Sequence, residues 1–256
     1  MQTIDTHCHL DLELFDTDRK KILSHCHTLG IYKIFIPAIR SATWDKLLQL
    51  CDEHRNLYPM LGLHPMFIVQ HNEQDLQKLR TYVAQHSPCA IGEIGLDFFI
   101  KNNYPEKQMD FFSEQLNIAQ QHNLPIVLHV RKAHQQVLKI LEQRNVMGGI
   151  VHAFSGSIQE AERYIKLGFK LGFGGMLSYS HSRKLRQLAI QLPLTAIVLE
   201  TDAPDMSGQK HHGQRNRPEY LLECLETLSS LREESIEAIA RQTTENANSV
   251  FQITRN

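Results

Sequence analysis

Ile4-Asp5-Thr6-His7-Cys8-His9-Leu10-Asp11 opens the chain with a short apolar run that ends on two histidines one residue apart. A start of this kind reads as a first, buried strand. Side chains at i and i+2 of a strand point to the same side. His7 and His9 are therefore expected to aim two imidazoles at one spot where the strand runs out, with Cys8 facing away. Two neutral imidazoles at that spacing suit a divalent metal, because each offers a lone pair without adding charge. A histidine pair satisfied by backbone or water would look the same, so the reading turns on the rest of the chain. The stretch also bears on architecture. A doubly wound open sheet normally carries a glycine-rich phosphate turn after its first strand, and here His7-Cys8-His9 takes that place.

Working outward, a strand-then-helix alternation continues to the end of the chain. Apolar strands are expected at 33–37, 58–63, 89–92, 125–129, 149–152, 170–173 and 196–200. Helices are expected at 16–29, 41–54, 73–85, 105–122, 132–143, 157–167, 182–191, 218–231 and 235–251. Parallel strands need a helix for each return crossing. Eight such units, counting the first strand, fit an α/β fold of the (β/α)8 TIM-barrel type with an extra C-terminal helix as a cover. No linker, low-complexity tract or short repeat divides residues 1–256, which are expected to form a single domain.

The composition narrows the partners. With 42% hydrophobic residues there is material for a sizeable core, and a net charge of −1 offers no global basic field for nucleic acid or anionic membrane. No apolar run approaches the ~18 residues of a membrane span, and no signal-peptide pattern is present, so a cytoplasmic location and no membrane contact are expected. Five scattered cysteines without a C-x-x-C argue for reduced thiols. Fifteen histidines is the conspicuous number.

In such a barrel the active site lies at the C-terminal ends of the strands. Ionisable residues recur there: His7 and His9 at the end of the first strand, His64 after the third, Glu93 after the fourth, His129 at the fifth, His152 at the sixth and Asp202 after the eighth. Any one of these could be a hydrogen-bonded loop residue, but their convergence on one rim is hard to explain by packing. They are too many for one four-coordinate ion with an open position. They fit two divalent ions roughly 3.5–4 Å apart, bridged by a carboxylate and a water or hydroxide. Glu93 is the expected bridging carboxylate, and Asp202 is expected to bind one ion and accept the proton of the attacking water. Imidazole-rich ligation suits zinc or manganese, while magnesium prefers oxygen.

The same residues carry a family resemblance. Asp5-Thr-His-Cys-His9, Gly62-Leu-His-Pro65, Gly92-Glu-Ile-Gly-Leu-Asp97, Leu124-Pro-Ile-Val-Leu-His-Val-Arg131, Val151-His-Ala-Phe-Ser-Gly156, Glu200-Thr-Asp-Ala-Pro204 and Arg215-Asn-Arg-Pro218 occur in this order over nearly the whole chain. In them the chain resembles the TatD family, metal-dependent hydrolases of the amidohydrolase-like barrel superfamily. The resemblance implies one metal at His7, His9, Glu93 and Asp202, and a second at Glu93, His129 and His152. It also implies a substrate-side role for His64, a phosphate contact for Arg131, and a place for Asn216 beside the substrate. The loop at 205–213 departs from the family pattern, as does Arg217 within Asn216-Arg217-Pro218, while the metal positions are unchanged.

The expected function is that of a divalent-metal-dependent hydrolase. Its phosphodiesterase or deoxyribonuclease character, acting on DNA or oligonucleotide ends, comes from the resemblance, and no obligate protein partner is inferred. A small-molecule amide, ester or lactone hydrolase uses the same chemistry, and a non-catalytic metal-binding protein is a third possibility. Arg131, Lys132, Lys210, Arg215 and Arg217 are the cations expected near the rim. Asp97 is read as either a support for the site or a loop cap, His211-His212 and Ser155 as loop residues, and Arg183, Lys184 and Arg186 as solvated surface.

Overall fold

Eight strands in sequence order form one parallel sheet in the computed structural model, which describes residues 1–102 and 104–252. They are β1 (Thr3–Asp5), β2 (Ile31–Pro37), β3 (Leu57–Leu61), β4 (Ala90–Asp97), β5 (Ile126–Arg131), β6 (Gly149–Val151), β7 (Phe169–Phe173) and β8 (Ile197–Leu199). Helices alternate with them: α1 (Arg19–Thr28), α2 (Trp44–Glu53), α3 (Glu73–His86), α4 (Pro105–Gln121), α5 (His134–Leu141), α6 (Ile158–Lys166), α7 (Arg183–Gln191) and α8 (Leu221–Leu231), with α9 (Ile236–Phe251) added at the end. This is the expected nearly closed (β/α)8 TIM barrel with its C-terminal helix. Residues 253–256, at the end of the expected domain, lie outside the described residues.

The seam between β8 and β1 is closed by single bonds and not by a full ladder. Thr6 N donates to the Leu199 carbonyl at 3.1 Å, and Asp202 N to the His7 carbonyl at 2.8 Å. The buried Asp5 carboxylate completes the seam, accepting from Thr201 N at 3.0 Å, Thr201 Oγ1 at 2.6 Å and His7 N at 3.2 Å. These bonds tie down the residues on either side of His7 and Asp202.

The strand patterns sort into two layers. Ile4, Phe35, Tyr58, Met60, Val127, Ile150 and Val198 pack with Val250 and Phe251, so α9 plugs the end of the barrel where the strands begin. Phe35 stacks on Phe251 with ring centroids 3.7 Å apart. Asn246 anchors α9 by donating to the Leu194 and Ile197 carbonyls. The other strand faces meet the helices in one extended core that includes Trp44, Phe112, Tyr164 and Phe169. Ser157 and Asn72 cap α6 and α3 as capping boxes with Glu160 and Asp75.

Several boundaries differ from the sequence reading. β1 stops at Asp5, so His7 and His9 are on the chain leaving the strand. β4 runs on to Asp97, which places Glu93 inside the strand rather than after it. A 3-10 turn at Glu13–Phe15 delays α1 to Arg19, and Ser41 opens a 3-10 turn before α2 while its hydroxyl donates to Asp75. Among the described residues no disulfide forms, and no helix is long and apolar enough to cross a membrane.

Candidate metal centre

A carboxylate in the middle of a buried strand needs partners, since burying an unpaired charge is costly. Glu93, on β4, is 1% exposed, and its two oxygens face two different sets of imidazoles. Oε2 lies 3.1 Å from His7 Nε2 and 3.7 Å from His9 Nε2. Oε1 lies 3.1 Å from His64 Nε2 and 2.9 Å from His129 Nδ1. Asp202, just beyond β8, faces the cluster from the other side. Its Oδ1 is 3.6 Å from His7 Nε2 and 3.5 Å from His9 Nε2, and its Oδ2 is 3.5 Å from His152 Nε2. The imidazoles of His7 and His152 stack with centroids 3.6 Å apart.

Three of the imidazoles are aimed by a partner on their far nitrogen. His9 Nδ1 lies 3.2 Å from the Pro37 carbonyl, which can only accept, so Nδ1 carries a proton and Nε2 is turned to the cluster. His129 Nε2 pairs with Asp97 Oδ2 at 3.0 Å, turning Nδ1 to the cluster. Asp97 Oδ1 meanwhile accepts from Phe99 N and Ile100 N, so the two readings of Asp97, support and loop cap, are both realised. His152 Nδ1 sits 3.0 Å from Glu200 Oε1, though off-axis for a hydrogen bond. His64 is aimed the other way. Its Nδ1 accepts from Met66 N at 3.0 Å, so the proton is on Nε2 and is donated to Glu93.

The charges are balanced within this cluster. Burial alone would raise Glu93 and Asp202. For Glu93 the neighbouring imidazoles of His64 and His7 and the hydrogen bonds of His129 and His64 outweigh it; for Asp202, the charge and hydrogen bond of His152 and the hydrogen bond of His9. Both carboxyls are held well below the usual range. Burial would lower His9, but the hydrogen bond and charge of Asp202 and the charge of Glu93 raise it to about 9. His152 is raised in the same way by Glu200 and Asp202. His64 is lowered to about 4 by burial and the nearby His129, which keeps it neutral.

The donor set suits divalent cations. His7 buries both ring nitrogens without a hydrogen-bond partner, and such orphaned polar atoms are costly, a cost that a cation on the ring's one lone pair would offset. Donor atoms within 4.8 Å of one another form three groups: His7, His9 and Asp202; His7, Glu93 and His152; His64, Glu93 and His129. The groups share Glu93 and His7. The expected pairing of His129 with His152 around Glu93 is not among them, because His152 stacks on His7 while His129 neighbours His64.

A cavity of about 830 Å³ opens over the cluster. His64 and Arg131 line it, and the Arg131 guanidinium rests 3.8 Å above the centre of the Phe99 ring. Asn216 does not line it. Its amide is buried, donating to the Thr201 and Asp205 carbonyls at 2.8 and 2.7 Å and accepting from Arg217 N. The expected substrate contact is therefore corrected: Asn216 braces the backbone around Asp202. Three of the expected rim cations are also engaged elsewhere. Arg215 and Arg217 pair with Asp18, and Lys210 pairs with Glu226. Arg183 and Lys184 are exposed, as read from the sequence, and they also line the cavity. Glu200 was missed altogether. Its signal was a carboxylate ending the apolar run Ile197-Val-Leu-Glu200, a group that cannot be buried without a partner.

Similarity to known proteins agrees with this site. The family model described as TatD related DNase matches residues 4–252. An uncharacterized metal-dependent hydrolase of Escherichia coli (strain K12), YjjV, is 37% identical over 253 residues, covering 98% of each chain. An uncharacterized metal-dependent hydrolase of Haemophilus influenzae is 37% identical over 261 residues, covering 98% of this chain and 100% of its own. The crystal structure of the Escherichia coli TatD homologue YjjV superposes with a TM-score of 0.95 at 36% identity, covering 98% of both chains.

Proposed function

The chain belongs to the TatD family of metal-dependent hydrolases, and from that premise we propose that it hydrolyses phosphodiester bonds at the ends of DNA or oligonucleotide strands. The observation that carries the reading is Glu93, whose two oxygens face separate sets of imidazoles. That is the arrangement of a carboxylate shared between two cations. His7, His9, Glu93 and Asp202 would hold one ion, and Glu93 and His129 the other, which His152 would join only by turning from its stack on His7, with zinc or manganese favoured by the imidazoles. When bound, such ions polarise the scissile group and acidify a water.

The chain's own groups supply the rest. Asp202 faces the cluster from beyond β8 and lines the cavity, so it is placed to take the proton of the attacking water. His64 presents an N–H rather than a lone pair, which suits holding Glu93 or a substrate oxygen and not ligating a metal. Arg131, held over Phe99, offers a guanidinium to a phosphate. On this reading the substrate enters as a frayed or single-stranded end, since Glu93 is buried at the cavity floor.

The test is turnover of an end-labelled single strand against a closed duplex circle, with and without chelator. Metal-dependent shortening of the linear strand and an intact circle are expected. A second reading, a small-molecule ester, amide or lactone hydrolase, draws on the apolar wall of the cavity at Leu12, Ile39, Met66 and Phe67. Turnover of model lactones with no cleavage of DNA would select it.

A further inference from the structure

Charge is distributed unevenly around the cavity. The carboxylates Glu93, Asp202 and Asp205 belong to units four and eight of the barrel, and the lining over units one to three, apart from His9 and His64 of the cluster, is apolar. The wall over units five to seven carries Arg131 at the end of β5 and Arg183 and Lys184 at the start of α7. Among the described residues, none of these three forms an ion pair. Lys184 Nζ reaches across to the Ser155 carbonyl at 2.8 Å, and Arg131 is held by the ring of Phe99. This contrasts with Lys210, Arg215 and Arg217 outside the cavity, each of which faces a carboxylate. Cations gathered on one wall of a cavity without acidic partners leave attraction for an anion uncompensated.

The reacting group has its place at the floor, beside Glu93 and Asp202. A cavity of about 830 Å³ lies towards the upper end of ligand-site volumes, roughly 300–1,000 Å³, and has room for more than that group. We propose that the wall formed by Arg131, Arg183 and Lys184 is a second anion subsite, which holds a phosphate adjoining the one being hydrolysed. The proposal rests on the phosphodiesterase reading above and adds to it that the substrate must carry a neighbouring anionic group. A neutral lactone or amide would leave the wall without a counter-charge. A nucleotide chain supplies one at every residue, and its sugar and base can lie along the apolar wall opposite.

The experiment compares manganese-loaded protein on three dinucleotides: dTpdT, which has only the scissile phosphate, and the same compound with an added 5′- or 3′-terminal phosphate. One added phosphate should raise kcat/KM by about tenfold or more, as charge-assisted hydrogen bonds of about 1.5–3 kcal/mol allow. The variants R183Q and K184Q should each lose most of that gain, chiefly through KM. R55A should keep it, since Arg55 precedes β3 at the opposite end of the barrel. Cleavage of all three compounds with no gain from either phosphate, or with a gain that survives R183Q/K184Q, would overturn the subsite and leave the phosphodiesterase reading standing. Cleavage of none of them would overturn that reading, and the subsite with it.

Discussion

Asp97 and Glu200 never face the cavity, yet they decide which way His129 and His152 point. A carboxylate on the far nitrogen of a ligating imidazole fixes its tautomer and raises its basicity, and removing such a partner commonly costs about 10–100-fold in metal affinity. Asp97 is itself pinned by the amides of Phe99 and Ile100, so its Oδ2 presents a fixed acceptor to His129. Asp97→Asn should therefore weaken metal binding by about 10–100-fold while the fold persists, as read by chelator competition. Unchanged metal affinity would reduce Asp97 to a loop cap. Glu93→Ala should remove activity and at least one ion at once, checked by elemental analysis beside a kinetic assay. At this scale the residues with distinctive chemistry were legible from sequence: His7, His9, Glu93, His129, His152 and Asp202 all meet in one cluster. Asn216 was misread because a motif position does not tell whether an amide faces substrate or its own backbone. That the exposed Arg183 and Lys184 also line the cavity was not legible, because a cation near the start of a helix shows no more than its exposure unless the neighbouring loop is known.

Glycines on the strands make room for this machinery. A Cβ on Gly172 of β7 would stand 2.2 Å from Glu200 Oε2, so the strand lacks a side chain where the Glu200 carboxylate passes. Gly172→Ala has to push Glu200 away from His152. The expected result is a loss of about 1–3 kcal/mol, typical of overpacking, together with weaker metal binding. Thermal unfolding and metal titration of the same variant check both parts. A stable variant with full metal affinity would mean that Glu200 has somewhere else to go. On β4, Gly95 has φ +142° and a Cβ there would fall 2.0 Å from the His129 carbonyl, so only glycine lets β4 lie against β5 at that point. This explains why the fourth strand was read as ending early. Gly92-Glu93-Ile94-Gly95 has the composition of a loop, since glycine and glutamate are depleted in strands. Its pairing is imposed by the barrel and not by local preference. The first strand was overextended for the opposite reason, because i and i+2 spacing mimics a strand even where the chain has left the sheet.

The whole molecule separates stability from chemistry along the barrel axis. The barrel itself was legible because eight apolar runs alternate with helices; the closure of the β8–β1 seam by Asp5 and Thr201 was not, since it depends on residues nearly the full chain apart. At the lower end, Phe251 stacks on Phe35 and is 5% exposed. Phe251→Ala should cost about 3–5 kcal/mol, as large-to-small changes at buried aromatics do, without altering metal stoichiometry. At the upper end, the proposed attraction for a polyanion centres on the cavity, because the net charge is −1 and the rim cations Lys210, Arg215 and Arg217 are paired. Each phosphate neutralised on a single strand contributes roughly −0.7 to the slope of log K against log salt. Arg131, Arg183 and Lys184 can therefore account for a slope of about −2. We expect that value for a fluorescent single strand binding Asp202→Asn protein, which should hold the strand without cutting it, and a shallower slope, nearer −1, when R183Q and K184Q are added. A slope as steep as about −6 would require an extended basic groove, and the paired state of the outer cations argues against one.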